Sequence, residues 1–227
     1  MEILDNIPFS FDWDSLLKQA HLESGSDEER EFRTLGDVAM KVGKPKAVYT
    51  ESFIDRRDRD TVQIGTISFT SRTLSRNLTS AERIFPYVAT CGQEMDESSP
   101  AGGDILKTFW WDLIKTQLLF SSHKHLNEHL HHKFRLGKTA MMHPGSGDAS
   151  VWPIEQQRVL FALLGDVQTA IGVTLTDSYL MTPNKTTSGL LFPTEKDFRS
   201  CEVCHRENCP SRQALFNKSL WDEIGHD

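Results

Sequence analysis

The sequence predicts an α+β fold in which one long helix accompanies a mostly antiparallel sheet. Helical and strand-like segments are mixed along the 227 residues, without the regular βαβ alternation of a parallel sheet. One segment, from about 104 to 135, has the apolar spacing of a long helix. The chain is 38% hydrophobic and 25% charged, which is typical of a globular protein that buries a core.

Residues 1–45 are predicted to be mainly helical. Asp12 or Asp14 is placed to cap a helix through "WDSLLKQAHLE". Ser26 or Asp27 is placed to cap a second helix, and the acidic residues that follow suit the positive end of a helix dipole.

The chain changes character after residue 45. "KAVYTESFI" and "TVQIGTISF" are rich in β-branched and aromatic residues and flank the charged segment "DRRDRD". This pattern predicts a pair of strands joined by a solvated turn. "RIFPYVAT" predicts another short strand that ends at Cys91.

The strongest helical pattern begins at Asp104, which can act as the N-cap. The apolar residues of one helix side are Leu106, Trp110, Leu113, Ile114 and Leu118. A shorter helix is predicted from Pro153 to about Gly165, since proline is favoured at a first helical position. "IGVTLTDSYLMTP" and "TTSGLLF" then predict strands around a turn at 183–185.

These patterns divide the chain into three segments. They are a helical N-terminal segment (1–45), an α+β core (46–193) and a polar, cysteine-rich tail (194–227). The sequence contains no internal repeat and no low-complexity tract.

Composition and motifs argue against several classes of function. The net charge of −7 gives no support for nucleic-acid binding. The longest apolar run, Val159–Leu164, is far too short for a membrane span, and no signal peptide is evident, so a cytoplasmic protein is expected. No catalytic residue is assigned, because no Ser-His-Asp set, phosphate loop or dinucleotide fingerprint is present.

The segment 141–157, "MMHPGSGDASVWPIEQQ", is a candidate ligand loop. Its central residues Pro144, Gly145, Ser146 and Gly147 form a sharp turn, and glycine lets the backbone approach a ligand closely. The alternative is a turn built for geometry alone. Two acids nearby are further candidates for accepting hydrogen bonds from a ligand amine or ribose, or are ordinary turn acids: Asp148 and Asp177.

The four cysteines form a candidate metal site. Cys201, Cys204 and Cys209 follow the spacing C-x2-C-x4-C, and Cys91 is the remaining thiol. A fourth ligand would come from Cys91 if the tail folds back onto the strand end, or from His205 nearby. Such a site suits zinc or an iron–sulfur cluster, and free thiols on a tail are the third alternative.

A second metal pattern lies on the long helix. His125, Glu128 and His129 match the H-x-x-E-H arrangement of inverted zincins. The match is short and has no third ligand, so a solvated, histidine-rich helix end is the favoured interpretation.

The segment from 141 to 190 resembles the activation (reactivation) domain of vitamin B12-dependent methionine synthase. The resemblance depends on the Pro144–Gly145 loop leading into "WPIEQQ", on "IGVTLTDSYLM", and on the spacing within "MTPNKTTSG". It extends over roughly 85–192, where the long helix also has a counterpart.

The resemblance implies a bent antiparallel sheet with flanking helices that binds S-adenosylmethionine and docks on a corrinoid-binding protein. It implies an accessory role in methionine biosynthesis, in which oxidised cobalamin on a methionine synthase or related methyltransferase is reduced and remethylated. Ser178, Ser188 and Gly189 would shape the same concave face as the loop. An iron–sulfur cluster would fit this function, since it could relay the electron.

Two positions depart from the family pattern. Met141 and Ser146 stand where the family has an arginine and a tyrosine that recognise the ligand. Methionine cannot clamp a carboxylate as arginine does. The second hypothesis is therefore a non-catalytic module that binds a corrinoid protein, with a metal-stabilised tail and without S-adenosylmethionine.

Overall fold

The computed structural model describes residues 1–209 and 212–225. The helices are α1 (Trp13–Ala20), α2 (Asp27–Val42), α3 (Arg72–Asn77), α4 (Glu94–Glu97), α5 (Ile105–Phe134), α6 (Gln156–Leu164), α7 (Val167–Ile171) and α8 (Lys218–Ile224), with a 3-10 turn at Ser200–Val203. The strands are β1 (Glu2–Leu4), β2 (Lys46–Tyr49), β3 (Ser52–Phe53), β4 (Arg56–Arg57), β5 (Thr61–Ile64), β6 (Ile67–Thr70), β7 (Arg83–Thr90), β8 (Thr139–Met142), β9 (Thr174–Leu175), β10 (Met181–Thr182) and β11 (Thr186–Pro193).

The capping residues predicted for the first, second and long helices are found at their N-termini. Asp12 accepts a hydrogen bond from the Ser15 backbone N–H at 3.0 Å, and Ser26 accepts one from Glu29 at 3.0 Å. Asp104 caps α5 and accepts from two backbone N–H groups. Helix α5 therefore confirms the predicted long helix of about 104–135.

The main sheet is antiparallel, with the strand order β1-β2-β7-β11-β8, and β3 also pairs with β7. Two small sheets accompany it, one of β4-β5-β6 and one of β9-β10. The mixture of antiparallel sheets and flanking helices confirms the predicted α+β class.

Alternate residues of the main sheet face two different cores, because successive side chains of a strand point to opposite faces. The first core contains Val48, Val88, Met142 and Leu190 together with residues of α6 and α7. The second core contains Ala47, Tyr49, Tyr87 and Leu191, packed against Leu126 and Leu130 of α5. A third cluster joins α1, α2 and the first half of α5, and contains Phe32, Cys91, Trp110 and Leu118.

The predicted pairing across "DRRDRD" is wrong. The first segment forms β2 and β3, and both pair with β7. The second segment is itself a hairpin of β5 and β6, since Gly65 adopts a positive φ of 57° between them. The charged segment contributes β4 to this small sheet instead of a free turn.

The later predictions hold in part. Helix α6 ends before Gly165 as predicted, although its first residue is Gln156. Strand β11 covers the whole predicted segment "TTSGLLF" and extends one residue past it. In "IGVTLTDSYLMTP" only β9 and β10 are extended, and they pair with each other around Thr176–Leu180.

Several short elements were not predicted, namely β1, α3, α4, β8, α7 and α8. The division into segments 1–45, 46–193 and 194–227 remains a prediction. Val203 and Ile224 of the tail are buried in the first core. Among residues 1–209 and 212–225, no helix has both the length and the apolar character needed to cross a membrane.

Gly36→Ala is expected to destabilise the protein. Alanine normally favours a helix interior by about 1 kcal/mol over glycine. At Gly36, however, an added Cβ would lie 2.4 Å from Cη2 of Trp13. The Trp13 ring is held edge-on to Phe32 with a centroid distance of 5.6 Å, so it has little freedom to yield. We expect a loss of about 1–3 kcal/mol in the free energy of unfolding, measured with urea.

Gly137→Ala is the matched control, because an added Cβ there has no neighbour within 4 Å. It should change the free energy of unfolding by less than about 0.5 kcal/mol. An unchanged or increased stability of Gly36→Ala would contradict the packing described for α1 on α2.

Candidate functional site

A groove runs along the outer edge of β8, the last strand of the main sheet. Met141, His143 and Ser146 line it on the sheet side, and the tail segment 196–201 lines it on the other. Its volume is about 420 Å³, within the range of small-molecule sites.

The floor of the groove is a polar cluster around Tyr87. We call Tyr87, His123, Met141 and His143 the floor cluster. Tyr87 is fully buried, and its Oη atom lies 3.3 Å from His123 Nε2 and 3.4 Å from both Met141 Sδ and His143 Nδ1. Strand β7, helix α5 and the end of β8 therefore meet at one hydroxyl group.

Two residues of β11 support this cluster. The Ser188 carbonyl oxygen lies 2.9 Å from His143 Nδ1. A Cβ added at Gly189 would lie 2.5 Å from the Met142 carbonyl oxygen and 2.9 Å from His143 Nδ1. The absence of a side chain at Gly189 is therefore what lets the imidazole approach the sheet.

The floor cluster is uncharged at neutral pH. Burial raises the pKa of Tyr87 far above its usual range and lowers the pKa of His143. Burial, reinforced by the neighbouring His143, lowers the pKa of His123 to about 4. All three groups are therefore neutral at pH 7.

The rim of the groove is charged. Lys138, Lys196 and Arg199 contribute cationic groups, and Asp197 contributes a carboxylate. The Lys138 ammonium lies 2.6 Å from Asp197, and the Arg199 guanidinium donates to Gln213 at 2.9 Å. The groove thus joins a neutral floor to a rim with an excess of positive charge.

The Pro-Gly loop contributes only one of its four predicted residues, Ser146, to the groove wall. Pro144 is buried, and the Gly145 N–H donates to the Trp152 carbonyl at 2.8 Å. A Cβ at Gly145 would lie 2.9 Å from Cβ of Ile154, and one at Gly147 would lie 3.4 Å from Cβ of Cys204. The two glycines therefore allow close approach between parts of the chain.

The other predicted ligand residues are dispersed. Asp148 pairs with His205 at 3.1 Å. Asp177 and Ser178 lie in the exposed turn between β9 and β10 and do not line the groove. The Ser188 hydroxyl donates to Gln157 at 2.6 Å, so only its backbone faces the floor cluster.

The predicted four-thiolate site is not formed by the described residues. Cys91 is buried in the cluster of α1, α2 and α5, whereas Val203, between Cys201 and Cys204, belongs to the first core. Burial raises the pKa of Cys91 to about 12, which keeps its thiol protonated. Within 1–209 and 212–225, no three His, Cys, Asp or Glu side chains are arranged to hold a metal ion.

The tail cysteines have other surroundings. Cys201 lines the groove, and its Sγ accepts a hydrogen bond from the Gln213 backbone at 3.4 Å. Cys204 is buried beside the loop, and Cys209 is partly exposed. The Arg212 guanidinium holds this segment together. It donates hydrogen bonds to the backbone carbonyls of Cys201, Cys204, Arg206 and Ala214.

Two histidines considered above as candidate metal ligands, His205 and His129, contact other groups. The ring of His205 lies 4.4 Å from that of Phe216 and 4.3 Å from that of Trp221. On α5, His129 Nε2 lies 3.0 Å from the Tyr49 hydroxyl. The described residues therefore give the H-x-x-E-H pattern no metal site.

The floor cluster was not predicted from the sequence, nor was the tail wall, the segment 196–201 that lines the other side of the groove. His143 directly precedes Pro144, so its place in the candidate loop was the one available indication. Tyr87 and His123 stand in segments assigned to a strand and a helix, and nothing local marks them as groove residues.

Comparison with known proteins gives a structural match. No protein-family model matches the chain, and no curated protein sequence gives a significant match. The crystal structure of the MetH reactivation domain bound to AdoHcy superimposes with a TM-score of 0.61. The identity is 16%, and the match covers 88% of this chain and 82% of that chain. At this identity the similarity establishes the fold.

Titration of His123 is expected to make the protein less stable in mild acid. An unfolded histidine takes up a proton near its ordinary pKa of 6.5, whereas folded His123 does so only near pH 4. The unfolded state therefore binds more protons between these values, and the free energy of unfolding falls as pH decreases from about 6.5 to about 4. The contribution of His123 is at most about 3 kcal/mol.

His123→Gln removes this titration, so its free energy of unfolding should depend less on pH across that interval. His132→Gln, at an exposed position of α5, should retain the wild-type dependence. Chemical denaturation at a series of pH values makes the comparison. Parallel curves for the wild type and His123→Gln would contradict the buried, neutral state of His123.

Proposed function

We propose that this protein binds S-adenosylmethionine in the groove along β8 and acts as an accessory protein of a corrinoid-dependent methyltransferase of the methionine synthase type. The observation that carries the proposal is the position of the groove. It is bordered by the Pro-Gly loop that resembles the family's ligand loop, in a fold similar to a domain crystallised with AdoHcy.

The groove offers chemically suitable partners for each part of the ligand. Lys138, Lys196 and Arg199 can receive the carboxylate, and Asp197 can receive the ammonium group. Phe198 offers apolar surface for the adenine ring. These rim cations would replace the family arginine, whose position is occupied here by Met141.

The bound ligand would supply a methyl group to cobalamin held by the partner. The chain itself would hold and orient the ligand, since its floor cluster and rim are positioned by β7, β11 and α5. We propose no electron relay through the cysteines, because the described residues do not assemble them around a metal. The electron would come from an external reductant.

A second candidate is a corrinoid-protein-binding module that does not bind the ligand. The orientation of Met141 favours this candidate. Its Sδ lies 3.4 Å from Tyr87 Oη, so the residue at the position of the family arginine is part of the floor cluster. Such a module would use the same face for docking alone. A ligand titration separates the two candidates.

Isothermal titration with S-adenosylmethionine is expected to give a dissociation constant in the micromolar range. Arg199→Gln should weaken binding about tenfold, because a charge-assisted hydrogen bond to the carboxylate is lost. Arg206→Gln is the matched control, since that arginine belongs to the tail but does not line the groove.

Two results would count against the first candidate. No heat change at millimolar ligand would leave the docking module as the better proposal. Equal losses in Arg199→Gln and Arg206→Gln would place the ligand outside the groove.

A complex with a corrinoid-binding protein is the second expected outcome. The protein should co-elute with the cobalamin-loaded corrinoid-binding domain of a methionine synthase on size exclusion, and more strongly in the presence of S-adenosylmethionine. Independent elution under both conditions, at concentrations of about 100 μM, would contradict both candidates.

A further inference from the structure

We infer that His143 is the hydrogen-bond acceptor with which the groove recognises the nucleoside part of its ligand, and that the Ser188 carbonyl fixes the tautomer that makes this possible. The inference rests on the proposed function for the identity of the ligand. Its geometric half concerns the free protein and is tested without any ligand.

The contact with Ser188 determines where the imidazole proton is. A carbonyl oxygen accepts hydrogen bonds and cannot donate one. At 2.9 Å from that oxygen, His143 Nδ1 must therefore carry the proton. In the neutral ring this leaves Nε2 as an unprotonated acceptor, and burial lowers the pKa of His143, so the ring is neutral at pH 7.

The ring is held in this orientation from two sides. Strand β11 approaches closely because Gly189 has no side chain, and the Tyr87 ring stands at 90° to the imidazole with a centroid distance of 6.1 Å. The Nδ1 edge faces β11, so the nitrogen left toward the groove is Nε2. In the part of the chain that the structure describes, Nε2 has no hydrogen-bond partner, although His143 lines the groove.

An unprotonated ring nitrogen selects one kind of ligand group. It accepts from an N–H or O–H group and disfavours a carboxylate, which has no proton to donate. The adenine amino group and the ribose hydroxyls of S-adenosylmethionine are such donors. The groove around the ring combines the neutral Tyr87, His123 and Met141 of the floor cluster with the charged Lys138, Lys196, Asp197 and Arg199 of the rim.

This arrangement gives the groove two chemically different ends. The cationic rim suits the carboxylate of the amino-acid part, and the neutral floor suits the donor groups of the nucleoside. His143 would thereby supply recognition that Met141 and Ser146 do not.

The test compares His143→Asn with His143→Gln. The asparagine amide can keep a donor near Nδ1 and thus the Ser188 contact, but it removes the acceptor at Nε2. The glutamine amide reaches the Nε2 position and can supply an acceptor oxygen there. With AdoHcy as the probe in calorimetry, we expect His143→Asn to bind about tenfold more weakly and His143→Gln to stay within about threefold of the wild type.

Imidazole 15N spectra of the full chain give the second readout. In the ligand-free protein, His143 should show a protonated Nδ1 and an unprotonated Nε2, and AdoHcy should shift the Nε2 resonance. A protonated Nε2 in the free protein would overturn the inference whatever the affinities are.

The two proposals fail in different ways. Wild-type affinity in His143→Asn would overturn the role of His143 and leave the proposed function intact. Absence of AdoHcy and S-adenosylmethionine binding by the wild type would overturn the proposed ligand, and the ligand assigned to His143 with it.

Discussion

Strand β7 separates two hydrophobic cores, and the remaining architecture depends on it being buried on both faces. Seven of its eight residues are buried. Val88 faces the core that α6 and α7 complete, and Tyr87 faces the core that α5 completes. Because a one-residue slip would exchange the two sets of side chains, the pairing of β7 with β2 and β11 is fixed by the burial of both faces. The same register places Tyr87 opposite Gly189.

The groove follows from this register. Tyr87 carries a hydroxyl into an apolar layer, where an unsatisfied polar group is costly. His123 from α5 and His143 from the end of β8 provide its polar neighbours, and a glycine on β11 makes the space. The two histidines that give the buried Tyr87 hydroxyl its polar neighbours also form the neutral polar floor of the groove. The tail adds Lys196, Asp197 and Arg199 to the rim, where Lys138 precedes β8. The neutral floor and most of the charged rim therefore come from different parts of the chain.

The sequence predicted elements whose determinants are local. Helix α5 has its own cap and apolar stripe, and β7 and β11 are continuous runs of strand-forming residues. The floor cluster could not be predicted in this way, since Tyr87 and His143 are 56 positions apart and meet only through strand pairing. The metal site predicted from the cysteines stays a prediction, although the described residues do not bring Cys91 to the tail cysteines. Spacing along the chain brought Cys201 and Cys204 into consideration, but it contains no information on which core receives Cys91.

The tail wall has a thermodynamic consequence. Segment 196–201 lines the groove, and the Arg212 carbonyl contacts and the Asp148–His205 pair hold the segment that follows it. A ligand that touches both walls binds only chains whose tail is seated, so occupancy and tail seating are linked equilibria. A substitution that destabilises the seated tail would therefore weaken ligand binding, even when the altered residue does not contact the ligand. The residues that set such an affinity would then include tail residues beyond 85–192, the segment whose sequence resembles the reactivation domain.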